Sequence, residues 1–253
     1  MKSLLKKLIP ENLHPLRYVN ERTLDHFNGI IPKGPFKGMN YIDESYTSFL
    51  CPKITGTYEK EIQAVIEFEK RVPYDAFIDI GSAEGYYSVG MALFSESKSI
   101  ISFEASEYAT KLQIDLAKLN KVEDKIVMLG FCESSDLNVQ TEKHNKIFIL
   151  CDVDGYELAL LDNQAIPKLN YATMLIECHN HCYAEMENSL KQRFKDTHDS
   201  SSFSVRTKAD PSDYPCPNLY YNILPRKYKE FPIRETERAQ EDTWLYLKPK
   251  EHQ

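Results

Sequence analysis

The chain has 253 residues, 42% of them hydrophobic and 27% charged, with 31 basic against 38 acidic side chains and a net charge of −7. That is enough apolar material for one sizeable core, and an α/β sheet of this length commonly forms a single domain. Its scattered basic residues argue against a cationic grip on a nucleic-acid backbone, so no nucleic-acid partner is expected. No apolar run approaches the roughly 18 residues of a membrane-spanning helix, so no transmembrane segment is expected either.

The opening, MKSLLKKLIPENLHPLRYV, starts like a signal peptide. Its apolar stretch is short and broken by Lys6, Lys7 and Pro10, and no small-residue cleavage site follows. It is read as an amphipathic cap, with Lys2, Lys6 and Lys7 too few for firm membrane contact, and the chain as cytoplasmic. In that compartment Cys51, Cys132, Cys151, Cys178, Cys182 and Cys216 are reduced thiols, most of them packing as small hydrophobes. The oligomeric state is not legible.

Residues 1–56 form an N-terminal extension, and residues 57–253 the main domain. Within the extension, residues 29–57 are rich in Gly, Pro and Tyr and read as an irregular segment that wraps the core or lids a site. TYEKEIQAVIEFEKRV then places Ile62, Val65 and Ile66 at helical spacing, with Thr57 as the N-cap. Apolar strands follow at residues 76–80, 99–104, 126–129, 147–152 and 173–178. Helical stretches at residues 86–94, 106–120 and 156–163 alternate with them. Near-continuous apolar strands between helices indicate a parallel sheet covered on both faces, and right-handed crossovers make it doubly wound and Rossmann-like. A helix at residues 183–197 precedes two closing strands, at residues 203–206 and 243–247, whose pairing direction the sequence does not reveal.

The first strand runs into Asp79-Ile80-Gly81-Ser82-Ala83-Glu84-Gly85. Small residues at Gly81, Ala83 and Gly85 let the backbone approach a ligand closely. The spacing departs from the G-x-G-x-x-G turn that seats a pyrophosphate on a helix N-terminus. The anions Asp79 and Glu84 would repel a pyrophosphate and suit a cofactor with sulfonium and ammonium groups. Glu104 ends the second strand, where an acid can accept both ribose hydroxyls. After the third strand, Phe131 can pack on a purine and Glu133 can meet its exocyclic amine. An ordinary helix start with Glu133 near its N-terminus is an equal reading.

These residues resemble the FkbM-type branch of the class I S-adenosylmethionine-dependent methyltransferases. The resemblance rests on FIDIGSAEGYYS at residues 77–88, Phe103-Glu104, LAKLN at residues 116–120, Cys151-Asp152-Val153-Asp154-Gly155-Tyr156-Glu157, and Ile176-Glu177-Cys178-His179. It covers about residues 56–182. It implies the seven-stranded class I sheet, S-adenosylmethionine as donor and S-adenosylhomocysteine as product. The segment KGPFKGMNY with KITGTYEKE looks like one in family members linked to surface-polysaccharide biosynthesis, which implies O-methylation of a hydroxyl on a sugar or glycan precursor. The family usually carries D-x-E-G-x-E preceded by Lys after the fourth strand; here Cys151 and Asp154 take the Lys and Glu places. Other acceptors, a small-molecule or lipid hydroxyl or a nitrogen, stay open, as does an inactive cofactor-binding partner protein.

A sugar hydroxyl is a weak nucleophile, so a base should take its proton as the methyl arrives. Asp152 and His179 are the preferred bases, with Asp154 beside them; Asp152 also borders the cofactor. The alternative is a divalent ion, Mg²⁺ or Mn²⁺, held by Asp152 and Asp154 with Glu177, His179 or Asn180 opposite. Glu157 reads equally as a charge favoured by a helix N-terminus. Zinc on Cys178, His181 and Cys182 is disfavoured because Cys178 belongs to a buried strand. Arg193, Asp196 and His198 can contact a polyhydroxyl acceptor or simply end a helix. Trp244 and Tyr41, Tyr46, Tyr86, Tyr87, Tyr214, Tyr220 and Tyr221 offer flat faces for sugar stacking.

Overall fold

A computed structural model describes residues 15–205 and 241–250. The opening segment with Lys2, Lys6 and Lys7, together with Arg206, Tyr214, Cys216, Tyr220 and Tyr221, lies outside the described residues. Seven strands form one sheet: β1 (Ala76–Ile80), β2 (Ile100–Phe103), β3 (Ile126–Leu129), β4 (Ile147–Cys151), β5 (Thr173–Cys178), β6 (His198–Ser204) and β7 (Thr243–Pro249). Their spatial order is β3-β2-β1-β4-β5-β7-β6. The first five are parallel, whereas β7 runs antiparallel between β5 and β6. The order reverses between β1, which pairs with β2 on one side, and β4 on the other. A ligand crevice forms beyond the carboxyl ends of strands at such a point.

Alternation along each strand divides the core into two layers. Phe77, Phe148, Leu150, Leu175 and Trp244 face one layer, and Ile78, Ile80, Ile149, Ile176 and Leu245 face the other. Among the described residues eight α-helices cover these faces. The first layer is closed by α2 (Leu50–Thr55), α3 (Gln63–Glu69), α4 (Tyr86–Phe94) and α5 (Glu107–Leu119), through Ile54, Ile66, Val89 and Leu116. On the opposite layer lie α6 (Ser134–Glu142), α7 (Glu157–Leu160) and α8 (Met186–Phe194), through Leu137, Leu160 and Leu190. The remaining helix, α1 (Pro15–His26), packs beside α2. Among the described residues no helix is long and apolar enough to cross a membrane.

The N-terminal extension contributes directly to the first layer through Phe36, Met39, Tyr41 and Leu50. Its irregular backbone is pinned at Asn40, whose N–H donates to Asn120 Oδ1 at 2.9 Å while Asn120 Nδ2 returns a bond to Asn40 O at 2.8 Å.

Some expected boundaries moved. Thr57 does not cap α3: its hydroxyl pairs with Thr55 Oγ1 at 2.9 Å, Glu59 turns at φ +47°, and the helix starts only at Gln63. The stretch expected as a helix at residues 156–163 keeps four helical residues. β6 begins at His198 rather than at residue 203. The five described cysteines are free thiols, and all but Cys182 are buried.

Candidate active site

A cavity of about 310 Å³ opens beyond the carboxyl ends of β1, β2 and β4. Its floor is the turn from Gly81 to Ala83, bordered by Glu104, Phe131, Asp152 and Asp154. The N-terminal extension supplies a further wall through Tyr46, Thr47, Ser48 and Lys53, with Tyr58 just beyond it, as a wrapping segment should.

The turn after β1 needs its small residues. Gly81 has φ +81°, and a Cβ there would lie 1.7 Å from Asp152 O. Only glycine lets β1 and the β4 loop approach this closely. Gly85 begins α4 in the left-handed region at φ +90°, with Gln113 packed where a Cβ would stand. Ala83 also has positive φ, +49°. Its N–H donates to Glu104 Oε2 at 2.8 Å, while Ser106 N donates to Oε1 at 2.7 Å. Glu104 therefore stands fixed at the cavity wall, and each carboxylate oxygen keeps a lone pair for a ligand hydroxyl. Phe131 is 58% exposed at the cavity edge and tilts toward Tyr156, ring centroids 5.8 Å apart.

Asp79 and Glu84 sit elsewhere than a direct cofactor contact would require. Asp79 is buried beneath the turn and does not line the cavity; one oxygen accepts from Ser88 Oγ, and Oδ1 has no partner among the described residues. Burial pushes its carboxyl up to about 7; the Ser88 hydrogen bond opposes the rise, and the charges of Asp152 and Glu104 add to it. Glu84 is fully buried and turned toward the extension. It pairs with Lys53 and accepts from Tyr41 Oη and Ser45 Oγ, each at 2.8 Å, and from Tyr46 N at 3.2 Å. Burial alone would raise its carboxyl pKa, but the Lys53 charge and these hydrogen bonds bring it below the ordinary value. Glu84 thus fastens the extension to the turn instead of facing a cationic cofactor. A lysine inside the apolar stretch Leu50–Thr55 was the available signal for this pair.

Glu133 resolves to the ordinary helix start. It caps α6, its own N–H bonding Asp136 Oδ2 at 3.1 Å, and it lies outside the cavity lining. Arg193 donates to Leu158 O and Leu161 O at 2.7 Å, closing the C-terminal end of α7. His198 is buried at the start of β6, with Nε2 bonded to Ala172 O at 2.8 Å. Neither residue reaches the cavity, and Asp196 does not line it. Trp244 and Tyr41 are core residues; Tyr46, Tyr86 and Tyr87 line the cavity.

At the tips of β4 and β5, Asp152, Asp154 and His179 converge, with one ligating atom from each lying within 4.8 Å of the others. His179 Nε2 is 3.5 Å from Asp152 Oδ1 and 3.5 Å from Asp154 Oδ1. On its other side, Nδ1 is 2.6 Å from Glu157 Oε1. A carboxylate accepts only, so in the neutral ring the proton sits on Nδ1. Burial works to lower the His179 pKa, but the Glu157 hydrogen bond and the charges of Asp152, Glu157 and Asp154 outweigh it and hold the pKa above its ordinary value. Glu157 is buried and also accepts from Gly155 N at 3.2 Å and Val153 N at 3.4 Å. It is a clamp on the loop as well as a helix N-terminal charge, a role a local reading could not separate from the dipole effect. The loop places Asp154 at φ +50° and Gly155 at φ +102°. Short polar side chains tolerate that region best, which suits Asp in the place where the resembled family has Glu.

Glu177 is buried in β5 opposite Trp244 and lies outside this cluster. The zinc grouping is likewise not assembled: Cys178 is buried in β5, while His181 Nδ1 turns to Asp242 at 2.9 Å and Cys182 is exposed.

Five parallel strands in the order 3-2-1-4-5 and a closing antiparallel pair define the Rossmann-like fold of the class I S-adenosylmethionine-dependent methyltransferases. No family model matches the chain. No curated protein matches it in sequence. Among solved structures it is similar to cofactor-bound Rv0187 from MTB, at 10% identity over 97% of this chain and 94% of that one, with a TM-score of 0.47. It is similar to the O-methyltransferase from Bacillus cereus in complex with SAH, at 13% identity over 98% and 96% of the two chains and a TM-score of 0.44. The Streptococcus pneumoniae Sp1610, a putative tRNA (m1A22) methyltransferase in complex with S-adenosyl-L-methionine, shares 14% identity over 78% and 75%, with a TM-score of 0.47. At these identities the likeness concerns the fold alone.

Proposed function

We propose that the protein is an S-adenosylmethionine-dependent O-methyltransferase acting on a hydroxyl of a sugar or surface-glycan precursor. The observation that carries the donor is Glu104, fixed by the N–H groups of Ala83 and Ser106 at the wall of the cavity. Its anchored carboxylate suits the two ribose hydroxyls, and the exposed faces of Phe131 and Tyr156 suit an adenine ring. The residues present therefore fit the cofactor. When bound, S-adenosylmethionine supplies an electrophilic methyl group on a sulfonium, transferred by in-line displacement.

This chain's own residues then have three tasks. The turn at Gly81 and Ala83 with Glu104 orients the donor, and such alignment lowers a barrier by several kcal/mol, on the order of ten at most. The extension wall at Tyr46–Ser48, latched by Lys53 to Glu84, narrows the access of water. The group at the tips of β4 and β5 must take up the acceptor hydroxyl's proton as the new bond to the methyl forms. The glycan acceptor rests on the resemblance of the extension and on the tyrosines around the cavity. The test is incubation with S-adenosylmethionine and a glycan-precursor extract, followed by untargeted mass spectrometry. The reading expects a species heavier by one CH₂ and an equal amount of S-adenosylhomocysteine, both absent with Glu104→Ala. Tight donor binding with products confined to amines would overturn the hydroxyl acceptor.

A further inference from the structure

We infer that Asp152, Asp154 and His179 form a binding site for a divalent cation of the Mn²⁺ type at the mouth of the cavity. Two carboxylate oxygens and one imidazole nitrogen come from the tips of two neighbouring strands. Their 3.5 Å separations from His179 Nε2 lie about 0.5 Å beyond the roughly 3 Å between adjacent ligands held about 2.1 Å from an octahedral ion, a gap that a small side-chain movement closes.

Independent support comes from His179 itself. The ring is 5% exposed, and Nε2 aims at the two aspartates with no hydrogen bond of its own. In the neutral ring the Nδ1 proton goes to Glu157, which leaves the Nε2 lone pair pointing into the cluster. A carboxylate behind a histidine is the arrangement that orients imidazole ligands toward metals. Glu157 is thus a positioning residue, and through Gly155 N it also fixes the loop that carries Asp154. Mixed oxygen and imidazole ligation favours Mn²⁺ over Ca²⁺, which prefers oxygen alone.

The site lies at the cavity wall, since Asp152 and Asp154 both line it. Its catalytic use rests on the methyltransferase reading above; its existence does not. An acceptor hydroxyl beside the cation would lose its proton more readily and pass it to solvent at Asp154, which is 92% exposed. The oxygen then forms the new bond to the methyl carbon, the carbon–sulfur bond breaks, and its electron pair leaves with a neutral thioether.

The test uses chelator-treated full-length protein without donor. Electron paramagnetic resonance of added Mn²⁺ should report loss of the free-ion signal at one equivalent per chain, with Mg²⁺ competing. Asp154→Asn tolerates the same left-handed backbone and should weaken Mn²⁺ binding at least tenfold. Glu157→Gln should weaken it less, a gradation that equal contributions would not produce. An undiminished free-ion signal with the wild type overturns the site, as does unchanged binding in Asp154→Asn. If S-adenosylhomocysteine fails to bind while Mn²⁺ binds, the donor reading fails and the cation site stands.

Discussion

The extension is held to the glycine-rich turn after β1 by a buried ion pair, and Lys53→Met is its most informative perturbation. Lys53 donates to Glu84, contacts Ser45 Oγ at 3.1 Å and lies 4.8 Å from the centroid of the Tyr58 ring. Methionine keeps most of the stem but leaves Glu84, 0% exposed, without its cation. Breaking a buried pair from one side costs about 3–5 kcal/mol. For a chain of this length that corresponds to roughly 6–20 °C in Tm. Urea unfolding followed by far-ultraviolet circular dichroism measures the loss. The double variant Lys53→Met/Glu84→Gln should recover at least half of it, because a neutral amide can still accept from Tyr41 or Ser45. Donor-product affinity should fall in the single variant, since Tyr46–Ser48 lose their tether. A single variant within about 1 kcal/mol of wild type would refute the reasoning, because an uncompensated buried carboxylate cannot be that cheap.

Three further outcomes are expected. Gly81→Ala should lose several kcal/mol, on the order of a failed core, or fail to fold, because its Cβ would lie 1.7 Å from Asp152 O at a left-handed φ; a Tm within about 2 °C of wild type would contradict this. Asp79 makes stability fall as pH rises: its folded carboxyl titrates near 7 against an unfolded value near 3.8, so the native state holds a proton that the unfolded chain releases between those values. The loss amounts to up to about 4 kcal/mol over the whole window and is nearly complete above about pH 7; about 3 kcal/mol of it falls between about pH 5 and pH 8, and Asp79→Asn should remove that part from the difference between urea unfolding at the two pH values. An unchanged difference would sink the assignment. Phe131→Ala should weaken S-adenosylhomocysteine binding by about fivefold, the equivalent of ~1 kcal/mol for an aromatic contact, with Tm unaltered; calorimetry showing equal affinity would remove the ring from the adenine site.

What the sequence disclosed follows from which interactions are local. Apolar runs placed the five parallel strands within a residue or two, and Ser106 marked the start of α5, where its side chain accepts from Ala109 N. β6 was read too late because His198–Ser204 is mostly exposed at the sheet edge and shows no apolar alternation. α7 was read too long because Leu161 leaves the helical region at ψ +52° and the Arg193 guanidinium, from a distant helix, takes Leu158 O and Leu161 O. That the glycine turn, Glu104 and Phe131 gather around one cavity, with Asp152, Asp154 and His179 close together, was legible from their places at strand ends. The roles of Glu84, Asp79 and Glu157 were not, because each depends on partners brought in from distant segments: Lys53, the buried underside of the turn, and His179.

The central claim is that the cavity beyond β1 and β2 holds the nucleoside of S-adenosylmethionine against Glu104. Isothermal titration of the purified protein with S-adenosylhomocysteine tests it most directly. The account predicts one site per chain with a dissociation constant on the order of micromolar. Glu104→Ala should weaken binding by about a hundredfold, since two hydrogen bonds to a charged acceptor are lost. Absence of binding to the wild type, or equal affinity in a folded Glu104→Ala variant, would contradict it.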